Sequence, residues 1–335
     1  MNRSKIEFCD HTWNPITGCM YNCENCYAKR TSIRFSGNVR LNKMAKKDYS
    51  TVSAADGKEK LYVLDMPMLN ETGNSLIYPF GFTPTLHRYR MNIPEKLKMG
   101  NNILVGATGD LFGKWIPDSW LDEVFEVCKK HSIHNYLFLT KNPERYKTYG
   151  VPCGMENMWY GVEITKKEEI EQIGRLPADS KKFVKISLLE DIQPESNWLV
   201  FQKIDWLILG AEIKKIIPEQ NWIKKIVDKA DQNEIPVFME DSLLTVVGEK
   251  DIRKEFPQQL QRSKLSPKME KRLFDSCASC KTHLKKSEMI TLLARSKRGE
   301  MPKQFGFMCK ECFRKFCNDL EVDIPELLGL TENKL

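Results

Sequence analysis

Between residues 103 and 239, six short apolar runs alternate with stretches patterned for helices, and this alternation leaves few folds open. The runs are Ile103–Gly106 (ILVG), Tyr136–Leu139 (YLFL), Trp159–Ile164 (WYGVEI), Phe183–Ser187 (FVKIS), Trp206–Gly210 (WLILG) and Pro236–Met239 (PVFM). Each is short, continuous and rich in β-branched or aromatic residues, the character of strands buried on both faces. Between them, Asp118–Lys130 (DSWLDEVFEVCKK) places Leu121, Val124, Phe125 and Cys128 on one helical face, with Asp118 as the expected N-cap after Pro117. Glu168–Gly174 and Asn221–Asn233 read as two more helices. Such a series selects a parallel sheet with right-handed crossovers. The number of repeats suits a full or partial (β/α) TIM-like barrel, so the expected class is α/β.

The carboxyl ends of barrel strands converge on one mouth. Acidic residues recur there: Asp110, Glu163, Glu190, Glu212, and Glu240 with Asp241. A lone carboxylate is ordinarily a surface group; recurrence beside Gly109, Gly161 and Gly210 argues for a pocket where a ligand approaches the backbone. Lys141, after the run ending in LTK, has two readings, a partner for a ligand carboxylate or a solvated lysine. His87, with Arg88, either reaches the mouth from the segment 32–100 or is simply a hydrogen-bonded histidine. That segment is polar and less regular, and reads as an insertion shaping or covering the site.

Cysteine usage narrows the chemistry. The chain of 335 residues has 11 cysteines. Its first residues, MNRSKIEFCDHTW, lack an apolar leader core, and no apolar run is long enough to span a membrane, so a cytoplasmic protein with reduced thiols is expected. In that compartment clustered cysteines hold metal more often than they form disulfides. Cys19, Cys23 and Cys26 form a C-x3-C-x2-C loop; Cys277, Cys280, Cys309 and Cys312 form two C-x2-C knuckles 28 residues apart.

Three thiolates on one loop leave a four-iron cluster one ligand short, and an iron with an open position can bind the amino and carboxylate groups of S-adenosylmethionine (SAM). Electron transfer from such a cluster breaks the sulfur–carbon bond and releases a 5′-deoxyadenosyl radical. The loop follows a possible first strand, Glu7–Trp13, which puts it at the mouth. The competing reading is structural zinc, with Cys9 or His11 as the fourth ligand.

The loop and its surroundings resemble the radical-SAM superfamily, and within it a phage-associated branch of unknown chemistry. The matching stretches are Ile6–Cys26 (IEFCDHTWNPITGCMYNCENC), Gly81–His87 (GFTPTLH), Gly109–Phe112 (GDLF), Leu139–Arg145 (LTKNPER), Asn157–Val162 (NMWYGV), Ser187–Asp191 (SLLED) and Leu209–Glu212 (LGAE). The resemblance implies a 4Fe-4S cluster on Cys19, Cys23 and Cys26, SAM as cosubstrate, and an external electron donor such as flavodoxin or ferredoxin. It also implies that Gly109, Asp110, Glu163, Ser187 and Glu212 line the SAM and substrate pocket. There is one departure: where many such loops carry an aromatic residue before the third cysteine this protein has Asn25, and Tyr27 follows instead. Within the branch, the length, the cysteine-rich tail and the wealth of Lys, Ile and Asn resemble lyases that split queuine into 7-aminomethyl-7-deazaguanine for queuosine salvage into transfer RNA.

Four thiolates in two knuckles match tetrahedral zinc, with a second iron–sulfur cluster as the main rival and His283 as a further nearby donor. Met289–Leu293 and Gln304–Met308 are expected strands within the gap. The expected organisation is therefore a barrel over 1–250, a charged linker or helix over 251–275, and a four-cysteine zinc module with its tail over 276–335. From Lys250 to Phe316 lysines and arginines outnumber acids 18 to 7, within a net charge of +7. This basic segment motivates a second functional reading, a radical-SAM enzyme that modifies or repairs DNA or RNA. A third, a non-catalytic metal-stabilised binding protein, sits poorly with an intact three-cysteine loop.

Overall fold

Seven parallel strands form the spine of the first of two compact units, Met1–Arg262 and Ser263–Leu335. The computed structural model describes residues 4–23, 26–97, 99–192, 204–211, 216–261, 274–286, 289–294 and 303–319. In chain order the first unit contains β1 (His11–Trp13), β2 (Ile16–Thr17), α1 (Tyr27–Phe35), α2 (Val39–Met44), β3 (Ser50–Ser53), β4 (Lys60–Leu64) and β5 (Thr85–His87). These are followed by β6 (Asn102–Val105), α3 (Asp118–Lys130), β7 (Asn135–Thr140), α4 (Glu144–Tyr149), β8 (Met158–Ile164), β9 (Lys181–Leu188), β10 (Trp206–Ala211), α5 (Gln220–Gln232), β11 (Val237–Met239) and α6 (Leu244–Val247).

The large sheet has the order β1-β6-β7-β8-β9-β10-β11, every pair parallel. Neighbours in space follow the order of the chain, so crossovers of one hand put α3, α4 and α5 on the same face and the sheet curls. The protein is thus an α/β partial barrel. Its two faces read off the strands as alternation of period two. Outward residues such as Ile103, Val105, Tyr136, Phe138, Tyr160, Val184, Ile186 and Leu207 pack with Leu121, Val124, Phe125 and Cys128 of α3 and Ile223, Ile226 and Ala230 of α5. Inward residues Leu104, Leu137, Trp159, Phe183, Trp206, Ile208 and Phe238 form a second core with Phe8 and Leu260. Each of these large side chains contributes about 1.5–3 kcal/mol by leaving water.

The six expected strands are all present, with their ends displaced by up to two residues. The first strand is shorter than Glu7–Trp13, beginning at His11. Asp118 is not the N-cap of α3: Pro117 occupies that position in an extended conformation, and Asp118 is the first helical residue, where its charge favours the helix N-terminus and pairs with Arg145. The segment 167–175 is a 3-10 helix.

Two regions differ from expectation. The insertion is more regular than its polarity implies. It contributes β3, β4 and β5 to a four-stranded sheet of order β2-β5-β4-β3, whose far end is fastened by Tyr62 stacked on Phe80 at 3.9 Å. The stretch from 251, which reads as a charged linker, belongs to the barrel as far as Gln261. Met239 donates its N–H to Arg253 O, and Glu255 donates to Val237 O, so 253–255 runs antiparallel to β11. The chain then crosses the floor, where Asn135 and Asn102 donate their amide N–H groups to Gln259 O and Leu260 O. The end strands β1 and β11 do not pair; this strap and the ion pair from Lys254 to Glu7, just ahead of β1, span the space between them.

The second unit, taken by itself, consists of β12 (Phe274–Ser276) antiparallel to β13 (His283–Lys285), β14 (Met289–Ala294) antiparallel to β15 (Lys303–Cys309), and α7 (Lys310–Asp319). The two strands expected within the knuckle gap are β14 and β15. Among the described residues, no helix is long and apolar enough to cross a membrane.

Candidate functional site

The three-cysteine loop is held at the carboxyl-end rim by backbone contacts that require glycine. Gly18 adopts φ +87° and bridges Gly109 in parallel fashion. Its N–H donates to Thr108 O at 3.0 Å, and the Cys19 N–H donates to Phe82 O at 3.1 Å. A Cβ on Gly109 would lie 2.4 Å from Gly18 O, and one on Gly18 would lie 2.6 Å from Thr83 O. The loop is therefore clamped between the turn after β6 and the GFTPTLH stretch of the insertion. Beyond it, Cys26 caps α1, its sulfur accepting from the Lys29 N–H at 3.4 Å. Tyr27 opens that helix and is 76% exposed.

Cys19 is half-buried, and burial pushes its thiol up to about 12; the Tyr21 backbone N–H opposes that shift and the Asp110 charge adds to it. A thiol so placed becomes a thiolate only when a cation or metal takes it as a ligand. Asp110 follows the clamp and is almost fully buried. Its carboxylate accepts the Thr140 hydroxyl at 2.7 Å, the Phe112 N–H at 2.9 Å and the Lys141 N–H at 3.0 Å. Burial raises its pKa against the pull of these donors. Asp110 thus ties the loop after β6 to the end of β7, and its hydrogen-bonding capacity is largely consumed there.

Below the rim, the inward positions of β8 and β9 change from aromatic to charged within one or two steps. On β8 the sequence passes from Trp159 through Gly161 to Glu163, and on β9 from Phe183 to Lys185 and Ser187. Glu163 and Lys185 are register partners, with Lys185 Nζ 3.2 Å from Glu163 Oε1. Lys185 also donates to Ser187 Oγ at 2.8 Å, and Lys141 Nζ stands 3.7 Å from Glu163 Oε2. Burial works to raise the Glu163 carboxyl, but Lys185, Lys141 and Ser187 together outweigh it and leave its pKa below the usual glutamate value. Lys141 is raised despite desolvation, by Glu163 first and then by Cys23, which places the cysteine loop within electrostatic reach of the row. Gly210 lets Glu240 lie across β10: a Cβ there would sit 2.0 Å from Glu240 Oε2. Burial raises the Glu240 pKa, with Glu7 and Glu163 adding to it and Lys185 opposing. Among the described residues no hydrogen bond is seen to the Glu240 carboxylate.

The structure thus brings Cys19, Cys23, Cys26, Gly109, Asp110, Lys141, Glu163, Ser187 and Glu240 to one end of the partial barrel. Other sequence candidates are engaged in structural contacts instead. His87 is completely buried in β5, its ring bonded to Thr17 Oγ1 at 2.8 Å and to the Tyr89 hydroxyl at 3.2 Å, so it braces the small sheet. Glu190 accepts the Lys167 N–H at 2.7 Å and ties down the 3-10 helix. Asp241 pairs with Lys254 at 2.7 Å at the strap. Glu212 and Asn25 lie outside the described residues. Lys185, central to the charged row, is missed by a search confined to strand ends; its signal is a lysine at an inward position of the otherwise apolar run FVKIS.

The donor set fits an iron–sulfur cluster. Three soft thiols on a clamped loop match a cluster with one externally ligated iron and fall short of the four ligands of structural zinc. The alternative fourth ligands, Cys9 and His11, belong to the amino-terminal end of β1, and the Cys9 sulfur is turned to Ser4 Oγ at 3.4 Å and Ile6 O at 3.7 Å. Just after β1, Asn14 Oδ1 is buried without a hydrogen-bond partner among the described residues.

No curated protein matches this sequence. Among solved structures, a doubly substituted spore photoproduct lyase with bound AdoMet and dinucleoside spore photoproduct is similar at 12% identity, over 95% of this chain and 73% of that one. The TM-score is 0.33, too loose an overlay to bear on fold or function. Residues 3–249 match the model of a family described as "Protein of unknown function (DUF5131)", a match that takes in the cysteine loop and all seven strands of the large sheet. The chain belongs to that family.

Proposed function

We infer that this protein is a radical-SAM enzyme whose substrate is a free, nucleobase-sized molecule, and that the reaction is the lyase cleavage of queuine, at the bond between its cyclopentene ring and the adjoining nitrogen, to give 7-aminomethyl-7-deazaguanine. The observation that carries the radical-SAM reading is the C-x3-C-x2-C loop clamped at the carboxyl-end rim of a parallel partial barrel, beside a buried row of alternating charge. Cys19, Cys23 and Cys26 would hold a four-iron cluster, which would supply a 5′-deoxyadenosyl radical from SAM when reduced by an external donor such as a flavodoxin or ferredoxin.

The protein's own residues bind and orient. Lys141 is assigned to the SAM carboxylate, and Gly109, by admitting the Gly18 backbone alongside it, to the placement of the cysteine loop. Glu240 is the acid of the row left without a hydrogen-bond partner among the described residues, so it is assigned to the N–H edge or alkylammonium of the substrate. Lys185 holds Glu163 ionised and fixes the row from beneath. Glu240, with Glu7 and Glu163 nearby, disfavours a phosphate group at this point of the mouth, which supports the free base over a polymer.

The test is anaerobic reconstitution. The wild-type protein is expected to bind one four-iron cluster and, once reduced, to form 5′-deoxyadenosine from SAM. Replacement of Cys19, Cys23 and Cys26 together by Ala should abolish the chromophore and the product; full iron and activity in that variant would refute the reading. Substrate is decided by incubation with queuine and, separately, with transfer RNA or damaged DNA. Turnover of nucleic acid alone would replace the queuine assignment by the reading motivated by the basic C-terminal segment.

A further inference from the structure

The second unit carries a four-cysteine cluster of its own, distinct from the three-cysteine loop. The sulfurs of Cys277, Cys280, Cys309 and Cys312 all lie within 4.8 Å of one another. The two knuckles approach closely, with Cys280 Sγ 3.8 Å from Cys309 Sγ. A disulfide needs about 2.05 Å, so this pair is not one. A tetrahedron with metal–sulfur bonds of about 2.3 Å has sulfur–sulfur edges of about 3.8 Å, so the separation is that of two ligands on one ion. A four-iron cluster takes its thiolates on separate irons at the corners of a cube, which spreads them wider than this group.

Backbone donors already point at the sulfurs. The Cys309 N–H donates to Cys277 Sγ at 3.3 Å and the Cys312 N–H to Cys309 Sγ at 3.4 Å. Such bonds stabilise negative charge on sulfur and set each knuckle before the ion arrives. The left-handed backbone at Lys281, φ +64°, closes the first knuckle immediately after Cys280.

Among the described residues the apolar core of this unit is small. Its buried cluster, among those residues, consists of Cys277, Met289, Phe307 and Cys309, so half of that cluster is the thiols themselves. Phe313 and Cys317 of α7 add little more. Domains with so little burial are ordinarily completed by a metal.

We propose that Cys277, Cys280, Cys309 and Cys312 bind one zinc ion as a closed tetrathiolate site that folds the second unit and takes no part in SAM chemistry. Four protein ligands leave no position for a substrate or water, which separates a structural site from a catalytic one. Zinc is preferred over a single iron because nothing in a closed structural site calls for a redox-active metal.

The test uses the full-length protein. Metal analysis of the variant with Cys19, Cys23 and Cys26 replaced by Ala should show one zinc and no iron, and adding Cys280→Ser and Cys312→Ser should remove the zinc. Because that last variant would misfold in its second unit, the protein with its second-unit cysteines intact is also grown with cobalt. Tetrahedral d–d bands with intense thiolate-to-cobalt charge transfer are expected. Chelation should open 263–335 to protease while the 1–262 fragment persists. Iron bound at these four cysteines, or a metal-free second unit that resists protease, would overturn the proposal without touching the radical-SAM reading.

Discussion

The contact between Gly109 and Gly18 lends itself to a direct test, because the whole placement of the cysteine loop rests on it. In Gly109→Ala the new Cβ would stand 2.4 Å from Gly18 O, where ordinary contact begins at 3.4 Å, so the backbone oxygen must retreat about 1 Å. Gly18 has little room to yield, since its other side faces the carbonyls of Phe82 and Thr83. The retreat strains or breaks the Gly18–Thr108 and Cys19–Phe82 hydrogen bonds. Overpacking costs about 1–3 kcal/mol and each backbone bond about 1 kcal/mol, so a loss of roughly 2–4 kcal/mol is expected if one of the two bonds breaks. For a unit of this size that lowers the melting temperature by roughly 5–15 °C. The functional effect should be larger, because displacing a reacting group by about 1 Å can cost about 100-fold in rate. The assays are iron content after anaerobic reconstitution, 5′-deoxyadenosine formation, and thermal melting followed by tryptophan fluorescence, which reports on the first unit alone because all seven tryptophans lie in it. Gly154→Ala is the control: its φ is +72° but a Cβ there meets nothing within 4 Å. It should cost about 1–2 kcal/mol and leave iron and activity intact. If Gly109→Ala binds full iron and cleaves SAM at the wild-type rate, the clamp does not place the loop.

Other expectations follow from the buried charges. Lys185→Met leaves Glu163 with Lys141 and the Ser187 hydroxyl as its partners among the described residues; breaking a buried pair costs about 3–5 kcal/mol, and because the Glu163 side chain is 25% exposed a loss of about 1–3 kcal/mol is expected. Since the folded Glu163 pKa is depressed, its stabilisation is present above the ordinary glutamate value of 4.5 and fades as pH falls through the folded value, so wild type and Lys185→Met should converge in acid. A constant gap in denaturation free energy down to that range would contradict the pairing. Burial, and secondarily Arg90, holds the His87 pKa well below 6.5, so the unfolded chain takes up this proton first as pH drops. The first unit should lose about 1.4 kcal/mol per pH unit below 6.5 from this group, and His87→Gln should remove that part of the slope in urea titrations. Glu240→Gln should weaken substrate binding at least tenfold, seen as a rise in KM for queuine, while uncoupled SAM cleavage persists; an unchanged KM would remove Glu240 from the substrate contact.

What the sequence made legible were the features carried by local pattern. Strands such as Tyr136–Leu139 and the α3 face of Leu121, Val124, Phe125 and Cys128 are set by period and apolarity within a few residues, and the strand-end position of Glu163 and Glu240 follows from them. The features it hid depend on distant partners. Nothing near His87 announces that Thr17, 70 residues earlier, bonds its ring, so a buried brace resembles an active-site histidine. The small sheet depends on β2 pairing with β5 across the whole insertion, which polar composition does not foreshadow. Lys185 was within reach of the same period-two argument: it shares a face with Phe183 and Ser187, and a lysine pointing into a barrel needs a carboxylate partner.

The strap over 253–260 has a consequence for how the protein acquires its structure during synthesis. Lys254 meets Glu7 across 247 positions, and Leu260 meets Asn102 across 158. These contacts form only after all seven strands have emerged, and contacts at such separation are slow to find. Until then Trp206 and Phe238 lack Phe256, whose ring centroid finally lies 5.2 and 5.0 Å from theirs. The nascent barrel therefore presents an aromatic floor to its surroundings late in translation, the interval in which a large domain is most open to aggregation. A polypeptide ending at 249, where the match to the family stops, would never leave that interval. One extended to 262 carries its own seal.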